Sequence, residues 1–582
     1  MAYKLLETQA VKDLDLFMQS EIEKWNIPGL AFSIISKDKV VYAKGYGLRD
    51  KEEGKPVDEK TLFAIGSASK AFTTMCLGIL VDRGLLEWDV PLRNYISTFK
   101  LYDTFASERM TPRDLVCHRA GLPRHDLMWY GSSLSRKELF DRLQHLQPNK
   151  DFRSIMQYQN LMFMAAGYLV EVVSGLSWEA FCQKEIFDVL GMTRSNFSVD
   201  AMAKDDNASC AYVEKKAGLE SVPYRNLDAV GPAGSINSCI EDVGKWVQLH
   251  LNGGEFEGKR IISKANLEEM HAPNMVITGS FFKDLAGYKE IINSSYGLGW
   301  FVETYRGMKS VHHGGHIDGF TAQVAFLPDE AIGVVALTNI DGSSFGYVPT
   351  YYVYDKLFGL PLVDWSKRLL EAKQKNKAAA EKAESVAEEI RHKGTVLSHP
   401  LEAYTGTFTH PGYGDMIVKL VDAKLEAVYN GLKFNLTNYH YDIFEAKSEE
   451  IEENIFKLTF STDTMGIINK LSAPLEPMVE DIVFARSADK SLQTREILEP
   501  LCGLYDLDGK DLQIKMKGGD SLISSISGQS DMELIPYTGS TFKVKGTPGV
   551  YLVFNSSGDS NILGITIIQP GAALYAEKNK IC

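Results

Sequence analysis

The sequence lacks any long apolar segment. No stretch approaches the roughly 18 consecutive apolar residues that a membrane-spanning helix needs. The first eight residues, Met-Ala-Tyr-Lys-Leu-Leu-Glu-Thr, also lack the apolar core of a secretory signal peptide. We therefore predict a protein with no membrane span and a cytoplasmic location.

Cysteine is scarce, and its spacing shows no pairing pattern. Seven cysteines are spread over 582 residues, and none forms the Cys-x-x-Cys spacing of zinc sites and redox motifs. Such a set is typical of free thiols in a reducing compartment. We predict no metal and no other cofactor. The seven are Cys76, Cys117, Cys182, Cys210, Cys239, Cys502 and Cys582.

Basic side chains are in the minority. The chain has 62 Lys and Arg against 76 Asp and Glu, which gives a formal net charge of −14. A nucleic-acid partner needs a basic face, and no cluster of Lys and Arg interleaved with aromatics is present. The partner that we predict is a small-molecule or short-peptide substrate rather than a nucleic acid, and assembly into a homo-oligomer is left open.

The first 365 residues have strand patterns near both ends and mostly helical patterns between them. Residues 29–50 alternate apolar and polar side chains, and apolar segments return at 321–327 and 332–338. A sheet built from both ends of a segment, with helices between, predicts an α+β domain over 1–365. Residues 366–399 then change to Lys, Glu and Ala, which predicts a charged helical linker.

The remaining residues contain an internal repeat. Segments that begin at Leu401, Asp415 and Leu436 recur at Leu498, Asp511 and Leu534, with offsets of 97, 96 and 98 residues. Three landmarks with nearly the same spacing predict two tandem all-β domains, each large enough for a closed, lipocalin-like barrel. We place them at 400–492 and 493–582; chance similarity between β segments is the alternative.

A serine and a lysine stand together at the start of a predicted helix. Ser67 begins the motif Ser-Ala-Ser-Lys, and apolar residues then recur at helical spacing up to Gly84. Lys70 lies one turn after Ser67 on the same face, where its amine can serve as the base that a serine nucleophile requires. A simple N-cap followed by an exposed lysine is the alternative, because this motif is common by chance.

Two further segments could complete a site. Tyr158 and Asn160 precede an apolar helix and could project into one cleft, although a buried tyrosine beside a cap residue would look the same. The segment 312–316, His-His-Gly-Gly-His, precedes a strand, and paired glycines let a ligand approach the backbone. A metal site is disfavoured here, because His312 and His313 would point to opposite faces of a strand.

A second serine motif competes with Ser67. Residues 342–346, Gly-Ser-Ser-Phe-Gly, match the Gly-x-Ser-x-Gly nucleophile elbow, whose serine works in a triad with an acid and a histidine. They stand between a strand and a helix. No alternating strands and helices follow that could carry the acid and the histidine of such a triad. We therefore interpret this segment as a loop.

The ordered elements Ser67-x-x-Lys70, Tyr158-x-Asn160 and His313-Gly314-Gly315 resemble those of the serine β-lactamase-like, penicillin-recognising hydrolases. That family includes class C β-lactamases, DD-peptidases, D-aminopeptidases and family VIII esterases, and the resemblance covers about residues 10–360. It implies an antiparallel sheet with a helical subdomain. The flanking phrases Thr111–Leu115 and His118–Pro123 match as well.

The resemblance also implies roles. Ser67 would attack a carbonyl and form an acyl-enzyme, while Lys70 and Tyr158 would share the proton transfers, with Tyr158 as a phenolate-like base. Asn160 would position the substrate, and the backbone N–H groups of Ser67 and His316 would form the oxyanion hole. The resemblance places His313 in the site on its strand.

The sequence departs from the β-lactamase pattern at His313, where those enzymes carry a lysine. A histidine is only partly charged near neutral pH, so the grip on a substrate carboxylate should be weaker. We expect a peptidase, amidase or esterase acting on small amides, peptides, including D-amino acid N-termini, or esters. One alternative is a class C type β-lactamase or carboxylesterase. Another is an inactive binding or sensor protein on the same fold.

Overall fold

The computed structural model describes residues 8–215, 217–278, 288–448, 456–488, 490–547, 549–557 and 561–579. Six cysteines carry free thiols, and Cys582 lies outside the described residues. The chain divides into two compact units. The first comprises residues 1–390 together with 476–480, and the second comprises 391–475 together with 481–582.

The first unit is built on a nine-stranded antiparallel sheet, as predicted for an α+β domain. Its strands are β1 (Gly29–Ser36), β2 (Val40–Asp50), β3 (Lys55–Pro56), β4 (Met275–Val276), β5 (Ile291–Tyr296), β6 (Phe301–Tyr305), β7 (Met308–Ile317), β8 (Phe320–Leu327) and β9 (Ile332–Thr338). Their order across the sheet is β4-β5-β6-β7-β8-β9-β1-β2-β3. The strands from the two ends of the segment join where β1 pairs with β9, with Ile34 opposite Val334.

The longer helices of this unit are α1 (Thr8–Lys24), α2 (Ser69–Asp82), α3 (Asn160–Ser174), α4 (Ile240–Leu251), α5 (Tyr347–Leu357) and α6 (Trp365–Glu389). Shorter ones include Thr104–Arg109, Pro112–Leu115, Arg136–Arg142, Trp178–Cys182, Val199–Met202, Gly231–Gly234 and Lys264–Met270. No single helix among the described residues is long and apolar enough to cross a membrane, although the bent pair Asn160–Ser174 and Trp178–Leu190 meets that test when taken together.

Two helical layers cover the sheet. One apolar core joins α1, α5 and the start of α6 to the strands; its members include Met18, Phe32, Val334, Tyr351 and Trp365. Helix α4 lies against β9 so closely that a Cβ added to Gly333 would stand 2.4 Å from a methyl group of Val247. The ring of Phe72 in α2 stacks on Trp246 of α4 at 3.9 Å, which holds the buried helix α2 in place.

The predicted helical linker begins inside this core. Trp365, Ser366 and Leu369 of α6 are buried, and the Trp25 indole N–H donates to the Ser366 hydroxyl at 2.9 Å. The rest of α6 is largely exposed, in keeping with its charged sequence. The domain limits inferred from the sequence stay predictions.

The second unit contains two closed eight-stranded barrels, which confirms the architecture predicted from the repeat. The strands of the first, β10 to β17, are Gly406–His410, Gly414–Val421, Lys424–Tyr429, Leu432–His440, Ile443–Lys447, Phe456–Thr462, Ile468–Ala473 and Ile482–Arg486. Those of the second, β18 to β25, are Gly503–Leu507, Lys510–Lys517, Ser521–Ile526, Met532–Thr538, Thr541–Val544, Tyr551–Ser556, Ile562–Gln569 and Ala572–Lys578. Alternate side chains are buried along strands such as Leu432–His440, as the interior of a small barrel requires.

Candidate active site

Ser67 and Lys70 meet at the start of α2. Ser67 lies in a 3-10 turn, Gly66–Ala68, and the α-helix begins at the next residue, so the two side chains are one turn apart. The Lys70 Nζ atom lies 2.9 Å from the Ser67 Oγ atom and is completely buried. The predicted serine–lysine pair is therefore formed.

Two protein acceptors hold the amine of Lys70. Nζ donates to the Asn160 Oδ1 atom at 2.8 Å and to the Ala233 carbonyl oxygen at 2.8 Å. Burial lowers the pKa of Lys70 well below its ordinary value, and the charge of Arg124 lowers it further, against the opposing charge of Asp126. A neutral amine has two N–H bonds, which these acceptors take up, and its lone pair is then left for the Ser67 hydroxyl.

Tyr158 also contacts the nucleophile. Its side chain hydrogen-bonds Ser67, and Lys70 Nζ lies 4.8 Å from the centre of its ring. Burial raises the pKa of Tyr158 above its ordinary value, although the bond to Ser67 and the charge of Arg124 oppose that rise. The resting side chain is therefore a neutral phenol, which does not favour the phenolate-like base that the family resemblance implied.

The loop that carries Tyr158 and Asn160 is fixed by polar contacts to a preceding segment. Gln159 caps α3, because its Oε1 atom accepts the Leu161 N–H at 2.7 Å. The Gln159 backbone N–H donates to the His118 Nδ1 atom at 3.1 Å, and the His118 ring packs 4.2 Å from the ring of Tyr158. Asn160 in turn donates from Nδ2 to Asp126 at 3.0 Å.

Strand β7 meets the Ser67 turn without room for a side chain. A Cβ added to Gly315 would lie 1.8 Å from the Ile65 carbonyl oxygen and 2.9 Å from the Ser67 nitrogen. A Cβ added to Gly66 would lie 2.9 Å from the His316 nitrogen. The glycines thus let the backbone nitrogens of Ser67 and His316 approach each other, as an oxyanion hole between them would need.

His313 lies on β7 near Tyr158, and its ring is buried. Its ring is 1% exposed, its Nε2 atom lies 2.9 Å from the Tyr296 hydroxyl, and its Nδ1 atom donates to the Gly314 carbonyl oxygen at 2.6 Å. Burial, and then the charge of Lys70, lower its pKa well below its ordinary value. Both ring nitrogens are thus engaged by protein groups, and the ring stands 6.2 Å from the ring of Tyr158.

The neighbouring histidines face other surroundings. His312 points to the opposite face of the sheet, as the strand pattern predicts, and lies 3.3 Å from a Glu303 carboxylate oxygen. The His316 side chain is exposed and lies 3.4 Å from the Thr321 hydroxyl. No group of three or more potential metal ligands is found among the residues that the structure describes.

The competing serine motif forms no elbow. Ser344–Gly346 is a 3-10 turn that leads into α5, and the Ser343 hydroxyl accepts the Phe345 N–H at its start. The motif is thus part of an ordinary capped turn. The five residues match the elbow motif, but the alternating strands and helices that should follow such an elbow are missing from the sequence after it.

Sequence reasoning missed Arg124 and Asp126. The Arg124 Nε atom donates to the Asp126 Oδ2 atom at 2.5 Å, and its guanidinium carbon lies 5.3 Å from the centre of the Tyr158 ring. Arg124 directly follows the phrase His118–Pro123 that supported the family resemblance, and Asp126 stands two residues later. The signal was therefore present, but only as the continuation of a flanking motif.

Two family models match the chain. The model of a family described as "Beta-lactamase" matches residues 14–356, and a model described as a domain of unknown function (DUF3471) matches residues 391–486. The relative named "Unguisins hydrolase ungD'" from Aspergillus campestris is 27% identical over 445 residues, which are 73% of this chain and 80% of that protein. "Unguisins hydrolase ungD" from Aspergillus violaceofuscus is 26% identical over 507 residues, 80% of this chain and 88% of that protein.

A solved structure shares the fold. The octameric penicillin-binding protein homologue from Pyrococcus abyssi has a TM-score of 0.52 and 22% identity, and the match covers 81% of this chain and 99% of that one. The family match spans more than half of the chain and includes the Ser67, Tyr158 and His313 segments. The chain belongs to the beta-lactamase family.

Proposed function

We propose that this serine hydrolase of the beta-lactamase family cleaves small amides, short peptides or esters through an acyl-enzyme at Ser67. The observation that carries the proposal is the environment of the Lys70 amine. The amine lies 2.9 Å from Ser67 Oγ and donates to two protein acceptors, and its pKa is lowered, so its neutral form would offer its lone pair to the Ser67 hydroxyl. A serine hydroxyl becomes a competent nucleophile when a base lies within such reach.

In the proposed acylation, Ser67 Oγ bonds to the substrate carbonyl carbon while its proton passes to Lys70. The carbonyl oxygen becomes an oxyanion between the N–H groups of Ser67 and His316. When the tetrahedral adduct collapses, the bond to the leaving group breaks, and that group takes a proton from the Tyr158 hydroxyl. Lys70 then returns its proton to Tyr158 through the Ser67 oxygen or a solvent molecule.

Deacylation repeats these transfers with water in place of Ser67. Water loses its proton to the Lys70 and Tyr158 pair, attacks the acyl carbon, and releases the acid as Ser67 Oγ is reprotonated. In this scheme Tyr158 works as a neutral phenol that gives and receives a proton, which suits its raised pKa. A phenolate base would have to form against the burial of the side chain.

His313 acts in the proposal as a positioning residue. Its Nε2 atom is bonded to the Tyr296 hydroxyl, and the ring stands 6.2 Å from the ring of Tyr158. Without a lysine there, β7 offers no fixed charge to the carboxylate of a lactam antibiotic. We therefore propose amides and esters as better substrates than such lactams, including amides of D-amino acids.

The names of the relatives support hydrolysis over the alternative of an inactive binding protein. Two of them are called unguisins hydrolases, and they cover most of this chain. The octameric homologue supports a homo-oligomer as part of the proposal. The six free thiols support a cytoplasmic location.

Covalent labelling tests the proposal. A fluorophosphonate probe should add one adduct to the intact chain, located at Ser67 by peptide mass spectrometry and absent from Ser67→Ala. Ser344→Ala is the matched control and should label as the unmodified chain does. An adduct that persists in Ser67→Ala but vanishes in Ser344→Ala would refute the mechanism. Turnover of D-alanyl amides, short esters and a chromogenic lactam would then rank the substrate classes.

A further inference from the structure

The backbone next to Arg124 is held by hydrogen bonds on both sides. The Pro123 carbonyl oxygen accepts a hydrogen bond from the side-chain amide of Gln159 at 2.5 Å. On the other side, His125 has a left-handed backbone, with a φ of 49°, and its N–H donates to Glu476 at 2.7 Å. Glu476 belongs to the same compact unit. The position of Arg124 is thus set by the residues that carry the site.

The guanidinium of Arg124 is only partly used by the protein. Its Nε atom donates to Asp126, but its two Nη groups have no hydrogen-bond acceptor among the residues that the structure describes. About half of the side chain, 52%, is exposed. A guanidinium held at Nε presents its Nη pair as the planar fork that binds a carboxylate with two parallel bonds.

The nearby carboxylates do not compete for this fork. One Asp126 oxygen accepts from Asn160 and Trp129, and the other accepts from Arg124 Nε. Both oxygens of Glu476 accept backbone N–H groups, from His125 and Met478. These carboxylates hold the segment in place and leave the Nη pair open.

Arg124 keeps its charge, whereas the pKa of the other basic groups of the site is lowered. Burial lowers the pKa of Lys70 and of His313. The Arg124 charge contributes to the lowered pKa of both Lys70 and His316, so its field reaches the reaction centre. A guanidinium stays protonated at any pH at which the protein is folded.

We propose that Arg124 is the substrate-anion site of this hydrolase, and that its Nη pair binds a carboxylate of the substrate. This inference rests on the proposed function and adds to it a substrate class. The fixed cation lies on the segment next to Tyr158 and not at the position of His313 on β7, so the carboxylate that it binds is placed differently from that of a lactam antibiotic. Preferred substrates are therefore amides or esters that carry a carboxylate within reach of this fork.

The test compares pairs of substrates that differ only in a carboxylate. N-succinyl-D-alanyl p-nitroanilide and its N-butyryl analogue place the difference on the acyl side. 3-Carboxyphenyl hippurate and 3-carbamoylphenyl hippurate place it on the leaving group. Each pair is assayed with the unmodified full chain and with its Arg124→Gln and Arg124→Lys variants. The pH for each protein lies on the alkaline plateau of its kcat/KM profile.

Arg83→Gln is the matched control. Arg83 is also ion-paired, with Glu185, and its guanidinium carbon lies 5.7 Å from the centre of the Phe181 ring. It follows the last residue of α2, so it stands about 24 Å from Ser67 along the helix. This variant removes the same charge from a similar setting and should leave all four substrates unaffected.

Arg124→Gln should lower kcat/KM about 10- to 100-fold for the carboxylate member of at least one pair, mainly through KM. Its neutral partner should change less than about threefold, and Arg124→Lys should give an intermediate loss because a point charge replaces the fork. Equal losses within both pairs, or no loss in either, would overturn the inference.

Labelling of Ser67 by the fluorophosphonate is recorded for every variant and separates the two proposals. Undiminished labelling of Arg124→Gln without any change in carboxylate preference refutes the anion site and leaves the Ser67 mechanism standing. Absence of Ser67 labelling in the unmodified chain refutes the proposed function and this inference with it. A labelling rate near that of the unmodified chain also shows that the variant is folded.

Discussion

Gly315→Ala should disable the site without a chemical change to any reacting group. The new Cβ would lie 1.8 Å from the Ile65 carbonyl oxygen, about 1.2 Å short of the 3.0 Å that real Cβ contacts respect. Neither group is a flexible side chain, so β7 and the Ser67 turn must move apart by on the order of 1 Å. Oxyanion donors act only at about 2.7–3.1 Å from the oxyanion. We expect a fall of about 10²- to 10³-fold in kcat, the usual cost of losing one such donor.

The assay is turnover of a short-chain p-nitrophenyl ester, with thermal unfolding as the check on folding. Gly314→Ala is the control on the same strand, since its Cβ would meet the side-chain oxygen of Gln323 at 3.2 Å, and that amide can shift. It should lose less than about tenfold. A Gly315→Ala protein that folds normally and retains kcat within threefold of the unmodified chain would refute the close contact as the basis of the oxyanion hole.

Four further predictions concern the proton-transfer pair, its pH dependence, the charge of Arg124 and the core. Lys70→Ala and Tyr158→Phe should each lower kcat by about 10³-fold or more, and the double variant by about as much, because the pair handles protons as a unit; additive losses would contradict this. Lys70 must be neutral to act, so kcat/KM for a neutral ester should fall as the pH drops through its lowered pKa. Arg124→Gln removes a charge that lowers this pKa, so the acid limb should move to higher pH, and an unmoved limb would contradict the coupling. Trp365→Ala should lower the free energy of unfolding by about 3–5 kcal/mol, because its buried indole fills the core around Tyr305. Exposed Leu362→Ala should change it by less than about 0.5 kcal/mol in the same denaturant titration.

The sequence by itself determined the features that depend on local spacing. Ser67 and Lys70 are three residues apart on one helix, so their side chains meet wherever that helix packs. The opposite directions of His312 and His313 follow from the alternation of a strand. The two barrels could also be predicted from the sequence, because a segment pattern that recurs at a nearly constant offset indicates two copies of one structure.

Only the tertiary structure decided which distant groups surround the nucleophile and in what state. Asn160 reaches Lys70 across 90 residues, and Ala233 does so across 163, separations over which no periodicity carries information. Burial then set the chemistry: it lowered the pKa of Lys70 and raised the pKa of Tyr158, and the fold brought the His313 ring to the Tyr296 hydroxyl. Desolvation and the contact of β7 with the Ser67 turn are properties of packed surfaces. A motif can name the residues that take part in a site, but their protonation and their access to substrate are fixed by the neighbours that the fold brings to them.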